Sequence, residues 1–118
     1  MRNERGSATM LMIGLMAVVV LLSGTAMLVA GYLVGQHRAR AAADLSALSA
    51  AAVFQGGGDG CTQARQTARR NDARLTRCDR VGDRVDWVVT VRVAVPTRTR
   101  VPGLPRAVTA EAHAEPTS

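Results

Sequence analysis

The sequence predicts an α+β protein. A long N-terminal transmembrane helix extends outside the membrane and leads into a small domain with a short helix and a two- or three-stranded antiparallel sheet. Three observations predict this. No charged residue lies between Arg5 and Arg38. Helix-forming Ala and Leu then continue to Phe54 and stop at Gly56-Gly57-Gly58-Asp59-Gly60. Finally, the apolar period changes to two over Val85, Trp87, Val89, Val91, Val93 and Val95, the pattern of a half-buried strand.

The first element is the apolar run from Ala8 to Val34, 27 residues. A helix over 6–36 is about 46 Å long, and the hydrocarbon core needs about 20 residues. Met10 to Tyr32 is the expected buried stretch, with Tyr32 at an interface, where aromatic belts occur. The alternative is a cleavable signal peptide, but its apolar segment runs about 7–15 residues, roughly half of this one. Arg2 and Arg5 on one flank nearly balance Arg38 and Arg40 on the other, so flanking charge does not orient the helix. Cys61 and Cys78 do. They sit in one small domain, and an oxidising compartment would let them pair as a disulfide. The expected topology is a single-pass protein of the cell membrane, with its N-terminus cytoplasmic and its C-terminal domain extracytoplasmic.

The helix continues through HRARAAADLSALSAAAVF, His37 to Phe54. Ala41, Leu45, Leu48 and Ala52 form one apolar stripe. A second stripe places small residues at every fourth position: Gly31, Gly35, Ala39, Ala43, Ala47 and Ala51. Small residues at this spacing let another helix backbone approach, which makes Gly31, Gly35, Ala39, Ala43 and Ala47 a candidate helix-packing seam. Composition alone accounts for it equally well, because eight of the fourteen residues from Ala39 to Ala52 are alanine. Asp44 is either a solvated charge paired with Arg40 or a charge between subunits.

The small domain begins after the glycines. Gln63 to Leu75 is a short-helix candidate with Ala64, Ala68 and Leu75 on its apolar side. Gly82-Asp83 is a two-residue hairpin turn. With Val81 facing Arg84 across it, Cys78 falls opposite Trp87. Pro96, Pro102 and Pro105 interrupt a loop, and Val108, Ala110, Ala112 and Ala114 alternate as a third strand. The expected organisation is a cytoplasmic tail at 1–6, the transmembrane and extended helix at 7–54, a Gly-rich hinge at 55–60, the small extracytoplasmic domain at 61–115 and a tail at 116–118. A domain this small often needs a staple, and a Cys61–Cys78 bridge would supply one.

The net charge is +6, and all fifteen basic residues are arginine. From Cys61 onward eleven Arg stand against six Asp and Glu. Nucleic-acid binding would need stacking aromatics among them, and Trp87 is the one aromatic after Phe54, so nucleic acid is not an expected partner. No catalytic constellation is legible. Cys61, Cys78, His37 and His113 lack a recognised ligand spacing, so neither a metal nor a cofactor is expected. GGGDG lacks the Lys and Ser/Thr of a phosphate-binding loop and has no strand before it.

ERGSAT at Glu4 to Thr9, the apolar run, and QHRARAAADLSALSAAA at Gln36 to Ala52 together resemble the N-terminal module of TadE/TadG-like proteins of tight-adherence (Flp) pilus assembly, the short actinobacterial TadE-like proteins in particular. The segment Arg40 to Ala52 is the most specific part. The resemblance implies a non-catalytic, pilin-like membrane component of a Tad/Flp-type pilus assembly or secretion system. Its partners would be the membrane and other Tad-like membrane or pilus proteins, in a helix-mediated oligomer. One feature departs from the Flp prepilin pattern, which places Glu at the fifth position after the cleavage-site glycine. The fifth residue after Gly6 is Leu11, and Glu4 precedes the glycine. The alternative function is a membrane-anchored basic extracytoplasmic module that binds cell-wall polymer, lipid headgroups or DNA.

Overall fold

The computed structural model describes residues 4–96, 103 and 106–116; Pro102, Pro105 and the end of the expected tail lie outside them. Among the described residues the elements are α1 (Glu4–Gln55), α2 (Gly60–Arg70), β1 (Arg74–Gly82), β2 (Trp87–Pro96) and β3 (Ala107–Ala114), so the chain is α+β. It divides into two compact units, Met1–Leu33 and Val34–Ser118.

The first unit is helix alone. Its large apolar side chains, from Met10 through Leu33, are all exposed. Two hydroxyls in this stretch are satisfied within the helix: Ser23 Oγ donates to the Val19 carbonyl at 2.8 Å and Thr25 Oγ1 to the Leu22 carbonyl at 2.9 Å. Such bonds are what a polar side chain needs where no water is present. By length and composition this helix can cross a membrane.

The second unit is built on an antiparallel sheet in the order β1-β2-β3. Val89, Val91 and Val93 of the central strand are fully buried. Val108, Ala110, Ala112 and Ala114 flank them from β3, and Leu75 and Cys78 from β1. The second part of α1 contributes Ala39, Ala42, Ala43, Ala47, Ala50 and Ala51 to this core, and α2 contributes Ala64 and Ala68. A Cβ placed on Gly35 would lie 3.7 Å from Val108 Cγ2, and the Phe54 ring meets Trp87 edge-on at 6.1 Å. The helix therefore runs along the sheet from the Val108 end to the Trp87 end.

Alanine suits this role because its small side chain is fully buried between helix and sheet without leaving a void. A residue advances about 100° around the helix, so a four-residue spacing drifts about 40° per step. From Gly31 to Ala47 the small-residue stripe winds through about 160°. It is a spiral, and only its later part faces the sheet.

Glycine is required at two turns. A Cβ on Gly60 would lie 2.3 Å from the Phe54 ring and 2.4 Å from the Ala50 carbonyl oxygen, so α2 begins in direct contact with α1. Gly82 has φ +128°, and a Cβ there would come within 2.2 Å of the Asp86 carbonyl oxygen. Within the expected Gly-rich hinge, 55–60, Gly56 N and Gly58 N donate to the Ala52 and Val53 carbonyls at 3.3 and 2.9 Å.

Three expectations require correction. The short helix spans Gly60–Arg70, and Leu75 lies in β1 instead. Asn71 caps the helix, and Asp72 turns the chain at φ 55°, a conformation Asp tolerates better than most residues. The hairpin closes through Asp83–Asp86, with Asp83 N donating to the Asp86 carbonyl at 2.8 Å, and not through Gly82-Asp83 alone. The register shifts with it: Gly82 faces Trp87 and Cys78 faces Val91. Val85, expected at the start of the strand, is in the turn and 86% exposed.

Candidate functional site

The first candidate is the cysteine pair. Asp59 caps α2, its Oδ1 accepting from Cys61 N at 3.2 Å and Thr62 N at 3.4 Å. The Thr62 hydroxyl donates to Asp59 Oδ2 at 2.6 Å, and this bond, the largest cause, holds the carboxyl below its ordinary range. The cap fixes the first turn of α2, where Cys61 sits. Cys78 stands in the middle of β1, and the two form a disulfide with Cα atoms 5.8 Å apart. It ties the start of α2 to the sheet.

The second candidate is the α1 surface. The small-residue seam divides. Ala39, Ala43 and Ala47 are buried in the chain's own core. Gly35 is half-buried near Val108, and Gly31 has open space where a Cβ would stand. The opposite side of the helix beyond Val34 carries Ala41, Asp44, Leu45, Leu48 and Ala52, all exposed, with Leu45 at 47% and Leu48 at 62%. The Ala41–Leu45–Leu48–Ala52 stripe therefore faces away from the core, while the alanines between its members face inward. Arg38 and Arg40 are exposed as well.

Sequence reasoning missed two features. Ser46 is fully buried, and its hydroxyl has no hydrogen-bond partner; its place between Ala42, Ala43 and Ala47 on the helix was the available signal. The Arg80 guanidinium lies over both the Phe54 and Trp87 rings, 5.3 and 5.1 Å from their centroids. Nothing in the spacing of Arg80 announces this, because it depends on the hairpin register.

The outer face of the sheet is polar. Arg92 reaches Glu111 at 2.6 Å, and this hydrogen bond, the largest cause, keeps the Glu111 carboxyl below its ordinary value. Thr90 and His113 share a hydrogen bond of 3.0 Å, and Arg77 pairs with Asp79. Arg92–Glu111 and Thr90–His113 are cross-strand pairs, the ordinary stabilisation of a solvated sheet face, and Arg77–Asp79 lies within β1. Among the described residues no three His, Cys, Asp or Glu side chains gather as a metal site.

Residues 6–53 match the family model "Putative Flp pilus-assembly TadE/G-like". The match covers the apolar run and its alanine-rich continuation, the same stretch that carries the sequence resemblance, and leaves residues 54–118 outside it. No curated protein and no solved structure matches the chain. This similarity and the long apolar helix together point to a membrane-anchored protein.

Proposed function

We propose that this chain is a non-catalytic, pilin-like membrane component of a Tad/Flp-type pilus assembly or secretion apparatus. Its N-terminus is cytoplasmic and the Val34–Ser118 unit is extracytoplasmic. The family match carries the reading, because it falls on the helix through which such a component would join others. Tad-like families are typically non-catalytic. The Cys61–Cys78 bridge supports an oxidising compartment for the second unit.

Contact with other Tad-like membrane proteins runs along Gly31 and the exposed helix side of Asp44, Leu45 and Leu48. Within the bilayer, apolar character drives no association, and close packing at small residues must supply it. In water the exposed leucines supply it by burial. Ala39, Ala43 and Ala47 serve the chain's own fold.

Gly31→Leu tests the reading. It adds bulk in open space, so folding and insertion are preserved. The expected result is loss of crosslinked oligomers, or of co-purifying Tad-like proteins, at unchanged membrane abundance, with Val19→Leu as a silent control. Association that survives Gly31→Leu at wild-type strength would overturn the helix-contact reading.

A further inference from the structure

The charges of the Val34–Ser118 unit are sorted along its length. At the end where Gly35 meets Val108, Arg38 and Arg40 stand on the helix. Arg74 opens β1 opposite Ala94, and Arg106 precedes Ala107, which pairs with Pro96. All four are exposed, and none takes part in the ion pairs of the described residues. The neighbouring carboxylates are Asp72, two residues before Arg74, and Asp44, one helical turn past Arg40. At the opposite end, Asp83 and Asp86 hold the β1–β2 turn. Asp59 caps α2 beside the Phe54–Trp87 pair, and Glu115 follows Ala114, which pairs with Val89. Arg80 and Arg84 share that end, Arg80 stacked on the two rings.

The basic end is also where the chain enters the unit. The apolar run closes at Val34, and Arg38 is about 6 Å further along the helix. A bilayer that takes the run up to Val34 has its headgroups within reach of arginine side chains at this end. Guanidinium groups bind phosphate oxygens in pairs and keep their charge at any physiological pH.

We propose that the basic end of this unit, formed by Arg38, Arg40, Arg74 and Arg106, docks on anionic phospholipid headgroups of the leaflet adjoining Val34. Arg38 and Arg40 flank the membrane helix as arginines of many single-pass proteins do. Arg74 and Arg106 are the informative pair, because they belong to the sheet and reach the headgroups only if this end of the unit lies on them. The acidic opposite end then faces away from the anionic surface. The proposal rests on membrane anchoring and not on the assembly reading.

The test uses the full chain, reconstituted at high lipid-to-protein ratio in phosphatidylcholine bilayers containing a minority of phosphatidylglycerol. Spin-labelled phosphatidylglycerol and phosphatidylcholine report the preference of the lipid shell. The wild-type chain is expected to prefer the anionic lipid by about fivefold, the scale of one arginine near an anionic surface, and to lose the preference in high salt. Arg74→Gln/Arg106→Gln lowers it at least about twofold. Arg65→Gln/Arg84→Gln, which removes the same charge elsewhere, leaves it unchanged. Three results would overturn the proposal: no anionic preference in the wild type, an unchanged preference in Arg74→Gln/Arg106→Gln, or an equal fall in both double variants, which would mean diffuse net charge. Loss of Tad-like partners plays no part in this readout, so the two proposals fail separately.

Discussion

The two stretches of α1, before and after Val34, are one helix in two solvents. Before Val34 the large side chains point outward all around, and the glycines Gly14, Gly24 and Gly31 meet open space. After Val34 the pattern inverts: the alanines are buried against the sheet while Leu45 and Leu48 are exposed. Where lipid surrounds the helix, size carries no penalty and large apolar residues cover the surface. Where a sheet must lie against it, the smallest residues give the closest approach and the tightest core. Hydrophobicity alone therefore does not say which side of such a helix is inside.

The largest effect that would sharpen the comparison is removal of the staple. Cys61→Ser/Cys78→Ser opens a link over a sequence separation of 17, worth about 3 kcal/mol by the chain-entropy account. Only the second stretch of α1 depends on it. Urea titration followed by Trp87 fluorescence should show that loss, while membrane abundance stays constant. Unfolding at the wild-type midpoint would mean that the sheet holds the helix without the bridge.

Next is the contrast between Ala43→Leu and Val19→Leu. Overfilling the fully buried Ala43 site should cost about 2 kcal/mol. Val19 is exposed on the first stretch, and the same titration should register no change there. Equal, negligible effects would erase the distinction between the two stretches.

The smallest effect has the opposite sign. Ser46→Ala removes a buried hydroxyl that has no partner, and leaving such a group dry costs about 1–3 kcal/mol. The substitution extends the alanine face and should stabilise the unit by about 1 kcal/mol. A destabilised Ser46→Ala would show that the hydroxyl is satisfied after all.

Much of this was legible in the sequence. The uncharged run and the alanine-rich continuation give α1, because helix propensity and hydropathy agree over the whole stretch. Strict alternation gives β2 and β3. The cysteine pairing follows from there being two cysteines in one small domain. Orientation within the unit was not legible. Leu45 and Leu48 form the more hydrophobic stripe, and only the sheet reveals that the alanines are inside. The four-residue seam looks straight in sequence and winds on a 3.6-residue helix, so Gly31 and Ala47 have different surroundings. Leu75 keeps the helical spacing of Ala64 and Ala68, while Asn71 and Asp72 between them mark the stop. The hairpin register turned on whether two or four residues close the turn. That choice moved Cys78 from Trp87 to Val91 and brought Arg80 onto the rings.

The most direct test compares two adjacent positions, Ala47 and Leu48. In Ala47→Cys and Leu48→Cys the native cysteines stay bridged, so the new thiol is the reactive one. In the full chain dispersed as monomers in mild detergent, maleimide labelling should be fast at position 48. At position 47, buried in the chain's own core, it should be strongly protected until urea unfolds the unit. Equal labelling at both positions, or protection at 48 with reaction at 47, would contradict the placement of the alanine face against the sheet.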